Sequence, residues 1–530
     1  MSEPLRDIEH AAQSVWALID RLPGKSLREI IARYARVSHQ NDPWRTVLEV
    51  LLFAFVVRTW LQSRTRAESS GSNYVKLSEK EIDELVREWT PEPLLEPLTE
   101  DEITLSSGPI VVGPPTLHAS VQNPFAAAGS APTEMINLAS TNFAGLAGHE
   151  RIKERTIECL RAYGVGSCGP PGFYGTFDVH IEFERTLAAF LGQPAAIIYA
   201  QAFSCLSSVL PAFSKRGDII VADRAVNFAL QKAIQISRST VRWYDHNDLD
   251  SLETVLESVK REDRRTKRPL TRRFIVTEAV FESDGQLLDL PRLVELKNRF
   301  KYRLVLDESW SVGALGKTGR GITELYGMPG TSAEIMVGSM ANSLGSGGGF
   351  CAGSNDVINH QRINSTAFVF SAALPPMLAV AATETISLLS TPLHSPVAGR
   401  PKTYVLEPLA DIVRQFRAVL DKLVETGLID IPSHALSPMI HLRVPAARAR
   451  EMPRDTQEMQ LQRVVDDCLA NDVLVARAAH VWSQEMAAIQ GLEIVRPSIR
   501  ICLSAGLARK DADRAATVIR NAVRKVFGKP

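Results

Sequence analysis

Between residues 195 and 340 the chain repeats one unit, a short run of apolar, largely β-branched residues followed by a stretch of amphipathic helical spacing. The runs are AAIIYA (195–200), DIIVAD (218–223), RFIVTEA (273–279), RLVLDES (303–309) and EIMVGSM (334–340). A strand that is apolar on both faces must be covered on both faces, and strands separated by helices pair in parallel. The pattern therefore predicts a large α/β domain over 136–390 with a mostly parallel sheet between helical layers. Residues 391–530 mix strand-like MIHLRV (439–444) and IRICLSA (499–505) with helical stretches, the last over 510–527. That is the pattern of a smaller α/β domain, and 530 residues suffice for both.

The N-terminal part differs. Residues 1–43 are mixed and polar, with Leu27, Ile30, Ile31 and Tyr34 at helical spacing, which predicts a short amphipathic helix. Residues 44–61 read WRTVLEVLLFAFVVRTWL, whose uninterrupted apolar core runs only from Val50 to Val57. A membrane span wants roughly 20 apolar residues. Glu49 and Arg58 flank the core and could reach toward headgroups, while Trp44 and Trp60 would sit at the two interfaces. These residues fit either a membrane-anchor helix or a buried helix of a globular domain. Residues 62–135 read as a connector broken by Pro and Gly, with one helix over 78–89.

Lys+Arg and Asp+Glu both number 60, so nothing in the charge balance points to nucleic acid. Cys159, Cys168, Cys205, Cys351, Cys468 and Cys502 form no CxxC pair, which argues against a zinc site or a disulfide framework and for reduced thiols. No metal is expected.

Six blocks carry the chemistry. They are INLASTNFAGLAGHERIKE (136–154), YGVGSCGPPGFYGTFDVHIEFE (163–184), VTEAVFESDGQLLDLPRLVELKNRF (276–300), LVLDESWSVGALGKTGRG (304–321), GSMANSLGSGGGFCAGS (338–354) and FVFSAALPP (368–376). In this order and spacing they resemble the α-oxoamine synthases, a branch of the aspartate-aminotransferase-type pyridoxal-phosphate enzymes, over roughly residues 136–525. The resemblance implies that family's fold, a large domain and a smaller C-terminal one, here preceded by an N-terminal membrane-anchor helix. It raises the membrane reading of 44–61 above what the residues alone support.

Pyridoxal phosphate chemistry needs a lysine amine to hold the coenzyme as a Schiff base and a carboxylate against the pyridine nitrogen. Asp307, at the end of VLDES, matches the family's pyridinium partner, although a lone Asp at a strand end is commonly a helix cap. The family's lysine precedes the Gly-rich run, and there this chain reads Ala341-Asn342-Ser343-Leu344-Gly345. Asn342 stands in the lysine position, and an amide nitrogen is not a nucleophile. No lysine occurs between Lys317 and Lys402. Trp310 replaces the histidine of the family's Asp-Glu-Ala-His, and Asn227 falls near the histidine that stacks on the coenzyme ring. Asn227, Asp307, Trp310 and Asn342 are thus expected to mark a vestigial coenzyme pocket with no catalytic residue of its own.

Within the family, the blocks resemble the lysine-lacking subunits of its heterodimeric, long-chain-base-forming members. That resemblance implies pairing with a lysine-bearing catalytic subunit, which holds pyridoxal 5'-phosphate and condenses L-serine with palmitoyl-CoA to 3-ketodihydrosphingosine. It also implies the endoplasmic reticulum membrane as location, with the catalytic body facing the cytosol and small regulatory membrane proteins as further partners. Two loops are candidates for the shared interface: 166–176, with Cys168, Gly169, Phe173, Tyr174 and Thr176, and 370–373, with Phe370 and Ser371. The other reading of each is a locally satisfied turn. Arg496 and Arg500 lie where relatives bind a substrate carboxylate. A structural or regulatory scaffold, a self-sufficient synthase and a soluble homodimeric pseudoenzyme remain as other readings.

Overall fold

The computed structural model describes residues 29–30, 32–34, 43–68, 77–95, 97–123, 130–267, 269–393, 403–478, 492 and 494–528. The chain divides into two compact units, Met1–Pro97 and Leu98–Pro530. In the first unit, Pro43–Glu68 forms one helix of 26 residues that contains the whole apolar run. Val50–Val57 are all exposed, as are Trp44 and Trp60. Among the described residues no helix is long and apolar enough to cross a membrane. The amphipathic helix expected around Leu27 and Ile31 falls on residues outside those described, except for 29–30 and 32–34, which are helical. The expected helix at 78–89 is Glu79–Glu88, started by a capping box in which the Ser78 hydroxyl accepts from the Glu81 N–H and the Glu81 carboxylate accepts from the Ser78 N–H.

The second unit begins inside the stretch expected to be connector. There β1 (Ile110–Val112), β2 (His118–Gln122) and β3 (Thr133–Asn137) form antiparallel pairs. They are short and separated by segments holding Pro and Gly, so no periodicity announces them. Their apolar faces are covered only after Leu469 and Leu474 of the C-terminal region join Ala119, Val121 and Met135 in one cluster.

The main sheet has seven strands: β4 (Ala195–Tyr199), β5 (Ile219–Asp223), β6 (Thr240–Tyr244), β7 (Arg273–Glu278), β8 (Arg303–Asp307), β9 (Ile335–Ser339) and β10 (Gly349–Gly353). Their order is β4-β10-β9-β8-β7-β5-β6, and β10 alone runs antiparallel to its neighbours. The five predicted runs are five of these strands, and β9 is buried along its whole length, as a two-sided strand must be. β6 and β10 are not among the predicted runs. β10 reads GFCAG, a weak strand former, but a Cβ on Gly349 would lie 2.7 Å from the Cβ of Cys205. The helix Ala202–Phe213 packs so closely on β10 that glycine is required there.

The C-terminal lobe is built on β11 (Met439–Leu442), β13 (Ala476–Arg477) and β14 (Ile499–Cys502), while β12 (Val473–Leu474) pairs in parallel with β3. The helices Leu409–Glu425, Arg454–Leu469 and Arg509–Phe527 cover it. One continuous core runs from Phe183 and Leu187 of the large domain to Phe416, Ile501 and Ile519 of the lobe. All six cysteines are free thiols; five are buried and Cys168 is exposed.

Candidate functional site

The carboxyl ends of parallel strands are where open α/β sheets place their ligands. Here those ends carry acids. Glu278 and Asp307, the last residues of β7 and β8, are register partners, and both are buried. Glu282, one turn beyond β7, donates its N–H to a Glu278 carboxylate oxygen at 3.1 Å.

Asn227 holds this cluster together. Its side-chain oxygen accepts from the Leu230 N–H and so caps the helix Phe228–Ser237. Its Nδ2 donates to Asp307 Oδ2 at 2.7 Å, and its backbone N–H donates to Glu278 Oε1 at 2.6 Å. A carboxamide can cap with its oxygen and donate with its nitrogen at the same time. The other Asp307 oxygen accepts from the Ser309 N–H at 2.8 Å.

Burial pushes the Asp307 carboxyl above its ordinary pKa, opposed by the hydrogen bonds from Ser309 and Asn227. Burial, together with the charges of Asp307 and Glu282, pushes Glu278 well above its own. Burial also raises Glu282, which the neighbouring Arg500 guanidinium and a hydrogen bond with Trp310 partly offset. Trp310 is buried, with the Arg500 guanidinium 5.2 Å over its ring. Asn342 donates from Nδ2 to the Ser309 carbonyl at 3.0 Å, which ties the Gly-rich segment to the end of β8.

The four positions assigned to a vestigial pocket are therefore brought together. The residues present do not fit pyridoxal phosphate as a covalently held group. Asn342 is an engaged amide, Asp307 accepts from Asn227 and Ser309 through both of its oxygens, and Trp310 with Arg500 above it stands where the family has a histidine. Sequence reasoning missed Glu278 and Glu282. The available signal was that VTEA and VLDE both place an acid at the end of a buried strand.

The two interface loops lie nearly 200 residues apart in the chain, yet they meet. Ala373 N–H donates to the Gly169 carbonyl at 2.9 Å, and His180 Nε2 bonds the Leu374 carbonyl at 2.7 Å. Within the first loop, Pro171–Gly175 is a single π-helical turn, closed by the Thr176 hydroxyl donating to the Pro171 carbonyl at 2.8 Å. A Cβ on Gly175 would lie 2.1 Å from the Gly169 carbonyl oxygen, so the turn closes only with glycine there. Cys168 takes a left-handed φ of 54°. The closed turn pushes Phe173 (77% exposed) and Tyr174 (71%) outward, and Phe370 (81%) projects from the second loop. Ser371 and Phe370 border a shallow cleft of about 310 Å³ whose wall carries the hydroxyls of Ser204, Ser207 and Thr366.

Of the two arginines singled out, only Arg500 enters the acid cluster. Arg496 lies elsewhere in the lobe, donating to the Val444 carbonyl and pairing with Asp430 at 3.9 Å.

Residues 133–519 match the family model "Aminotransferase class I and II". Serine palmitoyltransferase 1 of Saccharomyces cerevisiae is 35% identical over 96% of this chain and 93% of its own length. Serine palmitoyltransferase 1 of Dictyostelium discoideum is 37% identical over 84% of this chain and 87% of its own. A solved structure of SPT with PLP as an internal aldimine superposes with a TM-score of 0.64 at 19% identity, covering 79% of this chain and 93% of that one, which is a likeness of fold. With its sheet order, its acid-tipped strands and these relatives, the chain belongs to the serine palmitoyltransferase 1 family, on the pyridoxal-phosphate-dependent class I and II aminotransferase fold.

Proposed function

We propose that this chain is the non-catalytic subunit of serine palmitoyltransferase. It pairs with a lysine-bearing subunit that holds pyridoxal phosphate and joins L-serine to palmitoyl-CoA, giving 3-ketodihydrosphingosine, CO2 and CoA. The observation that carries this reading is Asn342, an amide spent on the Ser309 carbonyl at the position where an amine would have to act. A chain so built contributes by shape. The 166–176 and 370–373 loops present a joint aromatic surface, with glycines that let another backbone come close.

The test is co-expression with a lysine-bearing homologue. The pair is expected to condense serine with palmitoyl-CoA, while either subunit alone turns over at least about 100-fold more slowly, as befits an incomplete site. The purified chain alone is expected to show no visible absorbance of a coenzyme Schiff base. Such absorbance, or turnover by the lone chain, would favour the self-sufficient synthase.

The helix Pro43–Glu68 is proposed to hold the complex on the endoplasmic reticulum membrane, with the catalytic body toward the cytosol, close to an acyl-CoA substrate and an insoluble product. Support comes from Val50–Val57, an unbroken apolar run exposed on every side of the helix. At about 25 cal/mol per Å² such exposure is costly in water and favourable in lipid. The full chain is expected to stay with membranes through carbonate extraction, and deletion of 43–68 to release it. Release of the intact chain would remove the anchor.

A further inference from the structure

Away from the acid cluster, the C-terminal lobe carries a cleft of about 430 Å³ between the helices Ala446–Glu451 and Arg454–Leu469 and the segment leading into β14. Three arginines line it, Arg450, Arg454 and Arg496, around an apolar floor that includes Ala449, Ile494 and Pro497.

Their charges are not balanced from within. Arg454 pairs with Glu458 at 3.0 Å, but Glu458 also takes Arg477 at 3.0 Å. Arg496 reaches Asp430 only at 3.9 Å. Arg450 is exposed and has no hydrogen-bond or ion-pair partner among the described residues. Three guanidiniums line the cleft and no carboxylate does, since Glu458 and Asp430, which pair with Arg454 and Arg496, lie outside the lining. Backbone contacts hold two of the three forks in place: Arg454 donates to the Val495 carbonyl at 2.8 Å, and Arg496 donates to that of Val444. Three guanidiniums around one cleft, two of them held by backbone carbonyls, are complementary to a phosphomonoester dianion, whose oxygens accept the N–H groups left free.

We infer that this cleft binds a phosphomonoester, with the phosphate among Arg450, Arg454 and Arg496 and the ester's body on the Ala449, Ile494 and Pro497 floor. The site lies outside the acid cluster, and the inference does not rest on the reading of that cluster. The same chemistry is offered by a soluble phosphomonoester and by a lipid headgroup, and the two are separable.

The full chain, bound to its lysine-bearing partner where available, is titrated with inorganic phosphate and with AMP by calorimetry. It is then floated with phosphatidylcholine vesicles with and without phosphatidic acid. Arg450→Glu and Arg496→Gln are run alongside, with Arg450→Lys as the conservative variant. Saturable binding of AMP, weakened about tenfold or more in both disruptive variants and less in Arg450→Lys, supports the site with a soluble ligand. Binding confined to phosphatidic acid vesicles, with the same loss, supports it with a lipid one. Arg450 is exposed and has no partner among the described residues, so its replacement is expected to leave the thermal midpoint unchanged, separating loss of binding from loss of fold. No binding of any probe by the wild-type chain, or binding that both disruptive variants retain, overturns the inference.

Discussion

Tyr174→Asp combined with Phe370→Asp is expected to abolish recovery of the lysine-bearing subunit with this chain. Palmitoyl-CoA condensation should fall with it by about 100-fold or more. The two rings project 71% and 81% exposed from loops that share the Ala373–Gly169 hydrogen bond, so they act as one surface. Buried aromatic anchors at interfaces are each worth about 2 kcal/mol or more, and a carboxylate in their place adds a desolvation cost. Two such losses correspond to a change of several hundred-fold or more in affinity. Neither ring contributes to the core of this chain, so the unfolding transition of the isolated double variant should match wild type. Wild-type pull-down and turnover in the variant would show that these loops do not face the partner.

The second large effect is on stability. His246→Ala is expected to destabilise the large domain by about 3–5 kcal/mol, the range for removing one member of a buried ion pair. His246 bridges two carboxylates, Nδ1 to Asp223 and Nε2 to Asp284, each at 3.0 Å, with its ring edge-on to the buried Phe281. Asp223 ends β5, and Asp284 lies in a turn whose backbone reaches the C-terminal lobe, its carbonyl accepting from the Ser433 hydroxyl at 2.6 Å. The histidine therefore ties the sheet to the turn that contacts the lobe.

Burial alone would lower its pKa, but the hydrogen bonds and charges of Asp223 and Asp284 outweigh burial and raise it to about 10. The unfolded value is about 6.5. A group whose folded pKa is raised contributes its full stability below the unfolded pKa, and the contribution fades as pH rises through the folded one. The difference in unfolding free energy between wild type and His246→Ala should therefore be greatest at pH 6 and shrink steadily toward pH 10. Urea unfolding at several pH values measures it. A difference that does not change with pH would mean the imidazole is neutral in the fold.

Much of the architecture is legible in the amino-acid sequence. Five strands of the main sheet announced themselves because each is apolar on both faces, and that property depends only on local composition. The loss of the amine was legible too, since Asn342 and the gap between Lys317 and Lys402 are facts of the chain. The strand β10 and the sheet of β1–β3 were not legible. β10 has weak strand preference and β1–β3 are too short to show a period, and what makes them strands is the packing of the helix Ala202–Phe213 and of Leu469 and Leu474 against them.

The candidate site divides in the same way. The resemblance of the sequence blocks to the family is what grouped Asp307, Asn227, Trp310 and Asn342 and singled out both loops. Only the fold could decide which groups touch. Strand register sets Glu278 against Asp307, chain crossing brings Gly169 to Ala373, and the path into β14 sends Arg500 to the acid cluster while Arg496 turns to an arginine-lined cleft four residues earlier. Local sequence determines which backbone a segment prefers and which chemistry it carries. Contacts between segments far apart in the chain are set by how the whole core closes, and no local pattern records that closure.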